Sequence, residues 1–211
     1  LSHANAVLAG LTIRNGNSSG SSVINGGGIY INNPSGPVRN CTIIGNSANH
    51  GGGIYFNHMY VGPDSLIEKC TIVSNSASYG AGLYCLGNGM LRNCMVRNNS
   101  SSYRGGGMFC NYGGTVQNCT FVSNSATSVG GGIRARYGGT MENSIMYFNY
   151  GCTSSNYFNG TFSYCCTAPD PGGTGNITNN PLFIDATTNN YHLPWKSPCV
   201  NTGTNQDWMI G

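Results

Sequence analysis

The sequence predicts an all-β chain coiled as a single-stranded parallel β-helix, with rungs of about 25 residues and a less regular C-terminal cap. Three columns of residues carry that reading. Glycines followed by an aliphatic and then an aromatic residue recur as GGGIY from Gly26, GGGIY from Gly51, GAGLY from Gly80, GGGMF from Gly105 and GGGIR from Gly130, at steps of 25, 29, 25 and 25. Cys41, Cys70, Cys94, Cys119 and Ser144 form a second column with steps of 29, 24, 25 and 25. Five residues beyond each lie Asn46, Asn75, Asn99, Asn124 and Asn149. Self-similarity at a fixed period of roughly 20–50 residues is the signature of a repeat architecture.

Within each unit the elements follow in order. The glycine cluster permits a tight turn and a close approach of neighbouring rungs, where a helix would lose about 1 kcal/mol at each glycine. In "GGGIYIN" and "VRNCTII" apolar residues alternate, β-branched types are frequent, and glycine or Asn-Ser punctuates the ends; these are the marks of short strands. The polar "NSA" stretch then turns the chain toward the next glycines. The 29-residue unit carries its extra residues around "HMYVGPDS", as a surface loop does. In a parallel coil each residue stacks on its equivalent roughly 4.8 Å away, so a column in the sequence becomes a ladder in space.

That mapping separates inside from outside. The aliphatic column Ile29, Ile54, Leu83, Met108, Ile133 faces inward, as do Val38, Ile67, Leu91, Val116, Met141 and Ile43, Ile72, Val96, Phe121, Met146. The Asn column sits at a turn, where stacked amides bond along the axis and to turn backbone. Residues 1–151 form the rungs, and residues 152–211 a continuing rung and an irregular segment of the same domain.

Composition limits the function classes. Of 211 residues 33 are glycine and only 7% are charged, while aromatics make up 10%, a profile that argues for a folded chain. The nine basic residues are scattered singly, which gives no stripe for nucleic acid. No apolar run is long enough to span a bilayer, so no membrane insertion is expected in this segment. The start, "LSHANAVLAGLTI", has no basic region ahead of an apolar core, and it begins without Met as a processed or excised segment would.

The "NCTI..NSA..GGGIY" rung resembles right-handed parallel β-helix proteins of the pectate-lyase-like superfamily, especially bacterial surface proteins and polymorphic outer-membrane proteins with glycine-rich rungs. The tail "GTGNITNNPLFIDATTNNYHLPWKSPCVNTGTNQDWM", Gly173 to Met209, resembles the end of the β-helix domains called choice-of-anchor proteins, with Asn180 where those often have Asp. The resemblance implies a right-handed helix, an extracellular or cell-surface location, and membership of a longer chain with a variable C-terminal anchor.

Ten cysteines would suggest disulfides in a secreted protein. Stacked cysteines, however, point the same way at the strand spacing, while a disulfide needs Cβ atoms about 3.8 Å apart. Cys41, Cys70, Cys94 and Cys119, and the shorter column Cys85 and Cys110, are therefore read as buried free thiols behaving like small hydrophobes, with no metal site. Cys165 continues the first column below Ser144. Cys166 then faces outward, and with Cys152 and Cys199 it supplies the disulfide candidates, Cys152 with Cys166 taken first. Seven Asn-x-Ser/Thr sequons, at Asn17, Asn40, Asn98, Asn99, Asn118, Asn159 and Asn176, follow from the Asn/Ser/Thr-rich turns and carry no localisation.

Enzymes of the resembled superfamily are mostly polysaccharide lyases and glycoside hydrolases that use clustered carboxylates. The carboxylates here are Asp64, Glu68, Glu142, Asp170, Asp185 and Asp207. Glu142 lies three rungs from Glu68, roughly 14 Å away, and no two neighbouring rungs place a carboxylate pair in one column. The outer column Arg39, Glu68, Arg92, Gln117, Glu142 reads as a charge ladder. No catalytic residue and no cofactor is therefore assigned.

One face stands out. Tyr30, Tyr55, Tyr84, Phe109 and Arg134 point outward between inward residues, beside Asn32, Asn57, Leu86, Asn111 and Arg136. An exposed aromatic stripe ending in Arg134 and Arg136 suits stacking of sugar rings and an acidic glycan end; the other reading is that aromatic stacking only stabilises the strands. The expected function is a non-enzymatic extracellular β-helix module of a larger bacterial surface or secreted protein, a stalk, adhesin or passenger. The alternative is a carbohydrate-active module that binds a polysaccharide or host-surface glycan, or a fragment of a lyase or hydrolase.

Overall fold

The computed structural model describes residues 3, 6–18, 25–32, 36–58 and 66–205. Each of the four rungs from Gly51 to Ser154 contributes one strand to each of four faces, and every strand pair is parallel. The first sheet has six strands, from Ile29–Asn32 and Ile54–His58 through Leu83–Gly87, Met108–Tyr112 and Ile133–Tyr137 to Tyr157–Phe158. The second runs from Leu8–Ala9 to Thr161–Ser163 and the third from Thr12–Arg14 to Cys166–Thr167, with seven strands each. A fourth, short sheet of four strands runs from Ser76–Tyr79 to Tyr150–Gly151. The "HMYVGPDS" insertion beyond His58, with Asp64, and Asp207 in the tail lie outside the described residues.

The repeat columns are the strand registers. Ile29, Ile54, Leu83, Met108 and Ile133 pair successively. So do Val38, Ile67, Leu91, Val116 and Met141, and Ile43, Ile72, Val96, Phe121 and Met146. All three columns are buried in one continuous apolar core. The coil also starts earlier than the first glycine triplet: Leu8 pairs with Val38 and Ile13 with Ile43.

Corners between sheets are made by single residues in the left-handed region. Asn40, Lys69, Asn93, Asn118 and Asn143 have φ between 47° and 53°, and Asn15, Ser74, Asn98 and Ser123 between 54° and 58°. Asn tolerates this region better than most residues, which explains its frequency just before the Cys and Asn columns. The glycine triplets serve two purposes. Gly51 has φ +65°, and a Cβ on Gly107 would sit 2.6 Å from the Gly132 carbonyl oxygen of the next rung.

The Cys column does more than its sequence reading asks of it. These thiols are free and buried in the apolar core, as expected, and they also take part in hydrogen bonds. Each corner leaves a backbone N–H without a strand partner, and the sulfur of the next rung accepts it: Cys41 N to Cys70 Sγ at 3.5 Å, Cys70 N to Cys94 Sγ at 3.4 Å, Cys94 N to Cys119 Sγ at 3.4 Å. Each thiol in turn donates to the carbonyl two residues back, as Cys94 does to Arg92 at 3.1 Å. Ser144 takes the same part, accepting from Cys119 N at 3.1 Å and donating to Glu142 O at 2.7 Å.

Among the described residues beyond Thr167 the one regular element is a 3₁₀ turn at Ala186–Thr188 capped by Asp185. This segment closes the last rung through the Cys166–Ile177 bridge. It also runs back along the third sheet: Arg97 donates to Asn189 Oδ1 at 3.0 Å, and Asn143 Nδ2 to the Thr204 carbonyl at 2.7 Å. Cys166, expected on an outer face, is 3% exposed because this segment covers it. Cys152 lies on the exposed turn after Tyr150–Gly151, and the thiol beside Cys166 is that of Cys199.

Candidate functional site

The outward column of the first sheet is in register as expected: Tyr30, Tyr55, Tyr84, Phe109 and Arg134 pair one after another. Strand spacing then dictates stacking. Ring centroids lie 5.2, 5.2 and 5.1 Å apart for Tyr30–Tyr55, Tyr55–Tyr84 and Tyr84–Phe109, with planes within 10° of parallel. The stripe is not the exposed face the alternation suggests. Tyr55, Tyr84 and Phe109 are 7%, 8% and 3% exposed and form a second apolar cluster outside the main core.

The cover is a ladder the sequence reading passed over. The residues just before the glycine clusters, Asn25, His50, Tyr79, Arg104 and Val129, pair in register along the edge of the fourth sheet. The left-handed first glycine of each cluster turns the chain so that His50 and Tyr79 lie against the aromatic column. His50 meets Tyr84 edge-on at 5.1 Å and stacks on Tyr79 at 5.2 Å; Tyr79 meets Phe109 edge-on at 5.8 Å. Burial holds the His50 imidazole below its usual pKa, and Asn25 Oδ1 lies 2.9 Å from its Nδ1. Burial is likewise the main reason that the Tyr55 phenol is pushed up to about 12. A signal for this ladder was present, since one residue precedes each glycine cluster, but its changing identity hid it.

The exposed chemistry lies at the far end of the stripe, on the rungs of Phe109 and Arg134. Arg134 and Arg136 stand at the end of the stripe, and burial beside Arg104 and Arg136 lowers the Arg134 pKa from its ordinary value. Their guanidinium groups lie on rings: Arg134 over Phe158 at 4.4 Å, Arg136 over Tyr137 at 4.8 Å, Arg104 over Tyr103 at 4.3 Å. Tyr112 and Tyr137, 49% and 53% exposed, stack at 4.9 Å where the strands end. The sequence marked this pair by a Tyr-Gly-Gly repeat at Tyr112 and Tyr137, a step of 25 that was not singled out.

The described carboxylates have structural engagements. Glu68 pairs with Arg39 at 3.3 Å, Glu142 accepts from Gln117 Nε2 at 3.0 Å, Asp170 accepts from Gly172 N at 3.0 Å, and Asp185 caps the 3₁₀ turn. Among the described residues no group of three His, Cys, Asp or Glu side chains is placed to hold a metal ion. Among the described residues no helix is long and apolar enough to cross a membrane.

A family model described as the right handed beta helix region matches residues 2–150. No curated protein and no solved structure matches the chain.

Proposed function

The chain belongs to the right-handed beta helix family, and on that premise we propose that it is a non-enzymatic extracellular module of a larger surface or secreted protein, a stalk, adhesin or passenger. The observation that carries the reading is the aromatic column, whose stacked rings are closed over by His50 and Tyr79 rather than left open to a ligand. The engagement of Glu68, Glu142, Asp170 and Asp185 in structural contacts agrees with it, since lyase and hydrolase chemistry on such folds needs free, clustered carboxylates. A likeness of the tail to choice-of-anchor domains supports surface attachment. Incubation of the protein with neutral and uronate polysaccharides, followed by reducing-end and unsaturated-product assays, should show no turnover. Measurable turnover would sink this reading.

A second reading, glycan binding, is favoured by one specific feature: the exposed Tyr112–Tyr137 stack beside Arg134 and Arg136. Flat rings offer faces for sugars, and guanidinium groups recognise carboxylates or sulfates. On this reading, acidic glycans on an array give signal that falls at least about tenfold, roughly 1.4 kcal/mol, in Tyr137→Ala and Arg136→Ala. Signal equal to wild type in both variants removes it.

A further inference from the structure

Cys166 and Cys199 meet where the C-terminal segment lies on the last rung. Cys166 belongs to the final strand of the third sheet and is 3% exposed. Its thiol donates to the Asn179 carbonyl at 3.2 Å, and the Cys199 thiol lies beside it. Cys199 is held by its own turn: its N–H donates to Ser197 Oγ at 3.2 Å, and Ser197 Oγ donates to the Pro181 carbonyl at 2.6 Å. Two stretches of the tail, around Asn179 and around Ser197, therefore converge on one buried thiol.

This pair differs from the thiol ladder in the respect that matters for bonding. Ladder cysteines sit at equivalent corners between the paired strands of successive rungs, with parallel side chains at the strand repeat, so their Cβ atoms stay beyond the distance a disulfide needs. Cys199 lies in a turn outside the sheets, so the strand repeat does not fix its separation from Cys166. Bond formation therefore calls on that irregular turn and not on a rung to move. Cys152 lies on an exposed turn, whereas Cys166 is buried.

We propose that Cys166 and Cys199 are the site of an oxidative staple, a disulfide that fastens the C-terminal segment to the last rung when a small-molecule disulfide such as oxidised glutathione is present. Cys199 is the thiol more accessible to solvent, and interaction with the neighbouring Cys166 thiol lowers its pKa and favours its thiolate. The Cys199 thiolate attacks one sulfur of the oxidant and releases one thiolate, leaving a mixed disulfide. The Cys166 thiol, losing its proton, attacks the Cys199 sulfur and releases the second thiolate. Two electrons and two protons pass from the pair to the oxidant, which leaves as two thiols. The adjacent ladder thiol, Cys165, stays out of this exchange: it is buried in the main core with its Sγ turned to the Met141 and Ser163 carbonyls, each at 3.3 Å.

The test uses the full chain, reduced and then incubated with graded oxidised glutathione, blocked, digested and mapped by mass spectrometry. The expected product is a crosslink between the peptides bearing Cys166 and Cys199, present in Cys152→Ser and absent in both Cys166→Ser and Cys199→Ser. Native trypsin cleavage after Lys196 should slow severalfold on oxidation and recover with a reducing thiol, with no such change in Cys199→Ser. A crosslink that persists in Cys166→Ser, a Cys152 crosslink, or glutathione adducts alone would each overturn the assignment.

Discussion

Asn99 has all of its polar atoms engaged. Its backbone N–H and its Nδ2 both donate to Asn124 Oδ1, at 3.1 and 2.9 Å, Nδ2 also donates to the Ile72 carbonyl at 3.0 Å, and its Oδ1 accepts two bonds from Asn75 at 2.9 and 3.0 Å. The same pattern repeats from Asn46 through Asn149, and Asn156 continues it. Truncation of one member therefore orphans groups on two rungs. Asn99→Ala is expected to lower stability by about 3 kcal/mol, because each buried group left unsatisfied costs about 1–3 kcal/mol. Urea denaturation reads the effect, and an unchanged midpoint contradicts it. The Asn column was legible because all five positions repeat one residue type. The sulfur bonds of the Cys column were not, since Cys belongs as readily to an apolar core as to a corner, and only Ser144 in the same column hinted at a hydroxyl-like part.

At the scale of the element, the ladder ahead of the glycine clusters decides whether the first sheet's outer face is wet or dry. His50 is the titratable member. Its neighbours are Asn25, Tyr79 and Tyr84, so no carboxylate among them stabilises an imidazolium. Because its folded pKa lies below the ordinary 6.5, the unfolded chain takes up the proton first. The His50 contribution is thus complete above pH 6.5 and is lost as pH falls toward the folded pKa. Unfolding midpoints between pH 7.5 and about 5 should fall in the wild type and fall less in His50→Gln; identical slopes would show that His50 is not the sensor. Strand existence and register were legible here, since alternation and period fix which residues face in. The covering contacts were not, because they depend on how sharply Gly51 and its equivalents turn the chain, and the covering ladder of Asn, His, Tyr, Arg and Val has no common residue type to betray it.

The whole molecule is a stack whose ladders run from Leu8 to Cys166, strapped along the third sheet by the returning C-terminal segment. Such a stack gains stability from nearest-neighbour rungs, and the stacked outer rings add to the inner aliphatic columns as a second line of packing. The central claim is that this outer column holds rungs together. Tyr84→Ala tests it most directly, read by urea unfolding and by a glycan array on the same preparation. The account predicts a loss of about 3–5 kcal/mol, the range for removing a large buried aromatic side chain, with the glycan profile unchanged under conditions where the variant stays folded. Wild-type stability with loss of a glycan signal would contradict it.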